Sequence, residues 1–321
     1  MLHILLITFP FFALVLCGYL AARRGLLSLA AIPGLNSFVL FFALPCMLYR
    51  FGASTPLTRL LDGGVFLTYL VCALVMVGFA VALSLNARIR WNDAAFGALV
   101  AAFPNTGFMG VPLLVALLGP RAAGPAIVTI LVDMVITTSL CIALSRLDGA
   151  GPQGARKAAL NALKGVATNP MPWAILLGAL ASALSLRLPG PLAQTVGLFA
   201  DAASPVALFT IGAVLARSRM QAATGQSHPL RLRDYLPVAA MKLLLHPLLV
   251  FLLGAYAIRI GIPLERSALQ VMVLVAALPS ASNVSMLAER FGADNGRVAR
   301  IILVTTAVAF LSFSLAVSLL G

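Results

Sequence analysis

The sequence predicts an all-α integral membrane protein of ten transmembrane helices, arranged as two inverted five-helix repeats with helices four and nine broken. Three observations predict it. Hydrophobic residues make up 61% of the 321 and charged residues only 10%, whereas a soluble domain is roughly half apolar and a quarter charged. That apolar excess exceeds what a core with a polar surface can hold, so it faces lipid. The apolar residues fall into runs of spanning length, and the same short motifs recur in the same order in both halves.

The first run, 3–21, has no Lys or Arg ahead of it and is followed by Arg23 and Arg24. A signal peptide has the opposite polarity, so the run is read as a span. The others lie at 32–52, 64–86, 94–117, 122–145, 171–186, 192–216, 235–258, 267–289 and 298–320. Two polar stretches, 146–169 and 217–234, separate them and are too short for domains of their own. The expected division is a first repeat over 1–147, a cytoplasmic linker over 148–170 and a second, inverted repeat over 171–321. Five is an odd number of spans, so the second repeat must run through the membrane in the opposite sense.

The formal net charge is +13, from 22 Lys+Arg against 9 Asp+Glu. The basic residues sit in short gaps between apolar runs and read as topology signals, not as a nucleic-acid surface. With the N-terminus outside, fifteen fall in cytoplasmic loops: Arg23, Arg24, Arg88, Arg90, Arg146, Arg156, Lys157, Lys164, Arg217, Arg219, Arg231, Arg233, Arg290, Arg297 and Arg300. Six fall outside: Arg50, Arg59, Arg121, Arg187, Arg259 and Arg266. Both termini are expected on the non-cytoplasmic side of the plasma (inner) membrane.

The repeat is legible in its prolines. Pro45 is followed seven residues later by Gly52-Ala53, and Pro205 seven residues later by Gly212-Ala213. Ala101-Ala102-Phe103-Pro104 in span four answers Ala276-Ala277-Leu278-Pro279 in span nine, with Gly119 and Gly292 further on. Pro104 and Pro279 fall near mid-depth, about 18–20 Å in at 1.5 Å per residue. Each is followed by polar residues: Asn105-Thr106-Gly107 in one half, Ser280-Ala281-Ser282-Asn283 in the other. A proline kink with hydroxyl back-bonding would explain one such motif. Its occurrence in both halves points instead to paired broken helices, which in inverted-repeat membrane proteins mark a transporter's substrate site.

Ionisable residues inside a bilayer are functional candidates. Asp133 lies in span five, Asp201 in span seven, and Lys242 and His246 in span eight. Lys242 has snorkelling as its plain alternative, and His246 has packing. Cys17, Cys46, Cys72 and Cys141 all lie in apolar runs without CxxC spacing, and neither HExxH nor a phosphate loop occurs. No metal and no cofactor is expected.

The segments Phe103-Pro104-Asn105-Thr106-Gly107-Phe108-Met109-Gly110-Val111-Pro112, Leu278-Pro279-Ser280-Ala281-Ser282-Asn283, Ala288-Glu289-Arg290-Phe291-Gly292 and Ala43-Leu44-Pro45 resemble the auxin efflux carrier family and its bacterial relatives. The resemblance covers essentially the whole chain. It implies a scaffold domain and a transport domain, with helices four and nine crossing at their prolines, and an elevator mechanism. It implies carriage of small organic anions, auxin-like or malonate-like carboxylates, and often a homodimer. By resemblance, Pro104, Asn105, Thr106, Pro279, Ser280, Ser282 and Asn283, with Pro45 and Cys46, would bind substrate. Asp133, Lys242, His246 and Asp201 would form a supporting charge network. The second crossover departs from the Asn-Thr-Gly of the first. A sodium- or proton-coupled carrier of the same fold is the alternative. An intramembrane enzyme would need a catalytic set that the lone carboxylates do not supply.

Overall fold

Seven helices among the described residues are long and apolar enough to cross a membrane. The computed structural model describes residues 2–55, 62–86, 88–147, 170–223 and 231–320. In chain order its helices are α1 (Leu2–Arg23), α2 (Leu29–Ser54), α3 (Gly63–Ser84), α4 (Trp91–Ala102), α5 (Thr106–Leu118), α6 (Pro120–Leu144), α7 (Pro170–Ala183), α8 (Gly190–Ala223), α9 (Leu232–Arg259), α10 (Arg266–Ala277), α11 (Asn283–Arg290) and α12 (Asn295–Leu320). The linker expected over 148–170, with Arg156, Lys157 and Lys164, lies outside the described residues except for Pro170, as do Arg59 and His228.

Ten spans are expected, the fourth and ninth broken, and three apolar helices are too short to count by length: α5, α7 and α10. Proline chemistry explains two of them. A residue before proline is pushed out of the helical region, and Phe103 (φ −98°, ψ 101°) and Leu278 (φ −63°, ψ 157°) are both extended. Expected span four therefore becomes α4 and α5, and expected span nine becomes α10 and α11. Expected span seven errs the other way. α8 runs 34 residues through Pro205 and absorbs the start of the loop expected at 217–234. Gly119 and Gly292 follow α5 and α11 with φ of 83° and 69°, positive values that glycine adopts without steric cost.

The helices pack in two groups. α1 lies along α8 and α2 along α7, with α2 also against α8. Glycines permit the closest approaches: a Cβ on Gly212 would run into the Val15 carbonyl, and one on Gly178 into the Tyr49 carbonyl. Small residues at helix contacts are how membrane helices gain packing without a hydrophobic driving force. The second group is α3 to α6 with α9 to α12, centred on α4 and α10. Every residue from Ala94 to Ala102 is buried, and α10 is buried over Val271–Ala277. The outer faces carry the exposed apolar side chains that lipid requires, such as Leu176, Leu177 and Leu180 on α7.

Two expectations about charge are corrected. Arg297, counted as a cytoplasmic loop charge, is 2% exposed in the first turn of α12. Asp201 does not join Asp133, Lys242 and His246. It pairs with Arg50 at 2.6 Å, with both side chains well exposed, because α8 and α2 bring the two opposite charges to one surface.

Candidate functional site

The two helix breaks meet. Phe103–Asn105 and Pro279–Ala281 run antiparallel and pair at Pro104 and Ser280. The Asn105 amide donates to the Pro279 carbonyl at 2.8 Å, and the Ala281 amide to the Phe103 carbonyl at 2.9 Å. Prolines remove two donors, and backbone groups freed inside a membrane must find partners within the protein. The reciprocal pair supplies them. A third amide, that of Ser280, donates to Thr305 Oγ1 on α12 at 3.3 Å.

Side chains around the crossing are left over. Thr106 Oγ1, Ser280 Oγ and Asn283 Oδ1 are buried and have no hydrogen-bond partner among the described residues. Thr106 and Ser280 lie within two residues of a proline, and Thr106 and Asn283 begin the helices that follow the two breaks. Buried polar groups are normally satisfied, so every unpartnered one calls for an explanation. The crossing thus combines two helix N-termini, rich in free N–H groups and partial positive charge, with hydroxyls free to donate. That chemistry suits an anion. Asn105 is buried and Ser282 half-buried at the same place.

The first helix group touches this point at two places. A Cβ on Gly107 would sit 3.9 Å from the Leu44 side chain, beside Pro45 and Cys46, which are half-buried in α2. Ser204 Oγ, beside Pro205 in α8, donates to the Phe108 carbonyl at 3.3 Å. Within the second group, Gly110 lets the two broken segments close on each other: a Cβ there would lie 2.5 Å from Leu278 Cδ1.

Asp133, Lys242 and His246 are each fully buried. Asp133 and Lys242 do not pair directly; Asp201, the carboxylate expected beside them, pairs with Arg50 instead. Asp133 Oδ2 accepts from the Tyr69 hydroxyl at 2.9 Å, and Oδ1 from Thr137 at 3.2 Å. Lys242 Nζ donates to the Ala276 carbonyl at 2.7 Å and lies 3.0 Å from His246 Nδ1. The usual helical partner of the Ala276 carbonyl would be the amide of Ser280, four residues on, which has turned to Thr305. Lys242 therefore caps the carbonyl end of α10, where the helix dipole favours a cation. The Tyr69 ring, 6.2 Å from that of His246, connects the two clusters. Asp133 and Lys242 both sit in π-helical turns, Val132–Thr137 and Met241–Leu245, a distortion frequent at functional sites.

Tyr69, Thr137 and Thr305 are residues that sequence reasoning missed. A hydroxyl in an apolar run is a weak signal, since most satisfy themselves on their own helix.

The membrane transport protein family matches residues 3–317. The chain belongs to this family, the auxin efflux carriers and their relatives. A Rhizobium meliloti (strain 1021) protein named "Putative malonate transporter" is 31% identical over 92% of this chain and 89% of its own length. An Escherichia coli (strain K12) protein named "Uncharacterized transporter YfdV" is 29% identical over 88% of this chain and 86% of its own. Auxin efflux carrier component 8 of Arabidopsis thaliana is 23% identical over 86% of each. As a member of the auxin efflux carrier family, the chain is a multi-pass membrane transporter, not an enzyme.

Proposed function

We propose that the chain is a secondary transporter of small organic anions, carboxylates of the malonate or auxin kind, working by alternating access of the elevator type. The observation that carries the reading is the crossing of α4–α5 with α10–α11, where two helix starts and the unpartnered buried hydroxyls of Thr106 and Ser280 converge. Pro104, Asn105, Thr106, Pro279, Ser280, Ser282 and Asn283 bind the carboxylate, with Pro45 and Cys46 closing the site from α2. Lys242 and His246, with Asp133 held by Tyr69, support it from behind α10.

In this reading α4–α5 and α10–α11 are single broken spans. The chain then has ten spans in two inverted repeats, 1–147 and 171–321, with both termini outside the inner membrane. The matched breaks and the matched terminal glycines support that pairing. The elevator mechanism is supported by the two packing groups: α1, α2, α7 and α8 form the scaffold, and the rest moves against it past Leu44 and Ser204. The malonate name of the Rhizobium relative favours short carboxylates.

The test is a thermal-shift series on the purified protein with malonate, indole-3-acetate, a sugar and an amine. A ligand specific to the folded state stabilises it by about 2.7 kcal/mol at a hundred times its Kd. A saturable rise in melting temperature with a carboxylate alone is the expected outcome. A rise with the sugar or amine and with no carboxylate overturns the reading.

A further inference from the structure

The transport reading leaves one buried charge unused. Arg297 lies where α3 ends and α4, α9 and α12 begin. Its guanidinium reaches all three neighbours: Nε donates to the Asp234 carbonyl on α9 at 2.6 Å, Nη1 to the Asp93 carbonyl on α4 at 2.8 Å, and Nη2 to Ser84 Oγ on α3 at 3.2 Å. Its own amide donates to Asp294 Oδ1 at 2.9 Å, and the Asp294 amide to Asp93 Oδ1 at 2.7 Å. Gly97, one turn beyond Asp93 on α4, makes the room, for a Cβ there would lie 2.7 Å from Nη1. A planar fork with five donors can serve acceptors in three directions at once. Lysine, with its donors on one nitrogen, serves a single point.

The geometry points to Arg297 as a positioning residue for the crossing, an inference that rests on the crossing being the transport site. From the guanidinium two helices run to that site as rigid rods. α4 leads from Asp93 to Phe103, whose carbonyl receives the Ala281 amide. α12 leads from Arg297 to Thr305, whose hydroxyl receives the Ser280 amide. Both rods are about 12–15 Å long, and they are fixed to each other at their common origin. A relative slip of about 1 Å there carries both acceptors out of hydrogen-bond range. Arg297 thus sets the height at which the two broken segments pair, from a distance of roughly two to three helical turns.

Hydrogen exchange on the full chain in detergent, with malonate uptake in proteoliposomes alongside, tests this. In Arg297→Gln, exchange at the amides of Ser280, Ala281 and Asn105 rises by about tenfold, the loss of one ordinary hydrogen bond's protection. Peptides of α1 and α8 exchange as in the parent, and the KM for malonate rises while the maximal rate falls less. Arg297→Lys restores part of the protection. Ser84→Ala, which removes one bond and leaves the guanidinium in place, gives the same pattern more weakly and serves where Arg297→Gln does not fold. Faster exchange confined to residues 84–97, 234 and 294, with the crossing protected as in the parent and KM unchanged, overturns the inference. A parent that carries no malonate overturns the substrate reading alone, because the exchange pattern still decides the role of Arg297.

Discussion

Lys242 ends its side chain on a backbone carbonyl and the His246 ring nitrogen, with no carboxylate among the described residues within ion-pair reach. A lone lysine at a helix centre costs about 2.5–3.5 kcal/mol on the insertion scale, and here the carbonyl end of α10 offsets part of that. Asp133 draws its own support from Tyr69 and Thr137. The two charges thus have separate partners. Removing either strands different groups, so Lys242→Met and Asp133→Asn should each slow transport by about tenfold. Their effects should add within about 0.5 kcal/mol in a double-mutant cycle on uptake rate. Partial recovery in the double variant would show a direct pair instead. Thr305→Val, nearly isosteric, leaves the Ser280 amide without its acceptor. It should lower the stability of the purified protein by about 1–3 kcal/mol, read as a fall in the denaturant midpoint. An unchanged midpoint would mean that amide has another partner.

At the scale of elements, the breaks are what sequence reads best. Proline acts on its own residue and the one before it, so Pro104 and Pro279 announce the ends of α4 and α10 without any knowledge of the fold. The π turns at Asp133 and Lys242 carry no such local mark, because they depend on what packs against each helix. Arg297 was illegible for the same reason. A charge near a helix end reads alike in a loop or buried, and its three acceptors come from helices far apart in sequence. Asp201 and Arg50 could not be matched until α8 was laid beside α2. The crossing itself depends on fit as well as on proline. Leu278 is fully buried against Gly110, so Gly110→Ala should reduce malonate uptake by overpacking, at a cost of about 1–3 kcal/mol. Adding Leu278→Ala should restore part of it. A double variant worse than Gly110→Ala alone would place the damage elsewhere.

For the whole molecule, the reading rests on orientation and on which body carries the site. The charge bias predicts that the turn after α1 faces the cytoplasm and the turn after α7 faces outside. In a background without the four native cysteines, Leu186→Cys should react with an impermeant thiol reagent in intact cells. Leu26→Cys, on a residue 82% exposed, should react only after permeabilisation. The reverse pattern inverts the topology and with it the cytoplasmic placement of Arg297. The central claim is that small carboxylates bind at the crossing of the two broken helices. Equilibrium binding of radiolabelled malonate to the purified parent, Asn105→Ala and Asn283→Ala tests it most directly. The account predicts saturable binding by the parent and affinity lowered by about 5- to 150-fold in each variant, the equivalent of about 1–3 kcal/mol, with melting temperatures near that of the parent. Malonate bound equally well by all three folded proteins would contradict it and leave the crossing a purely structural joint.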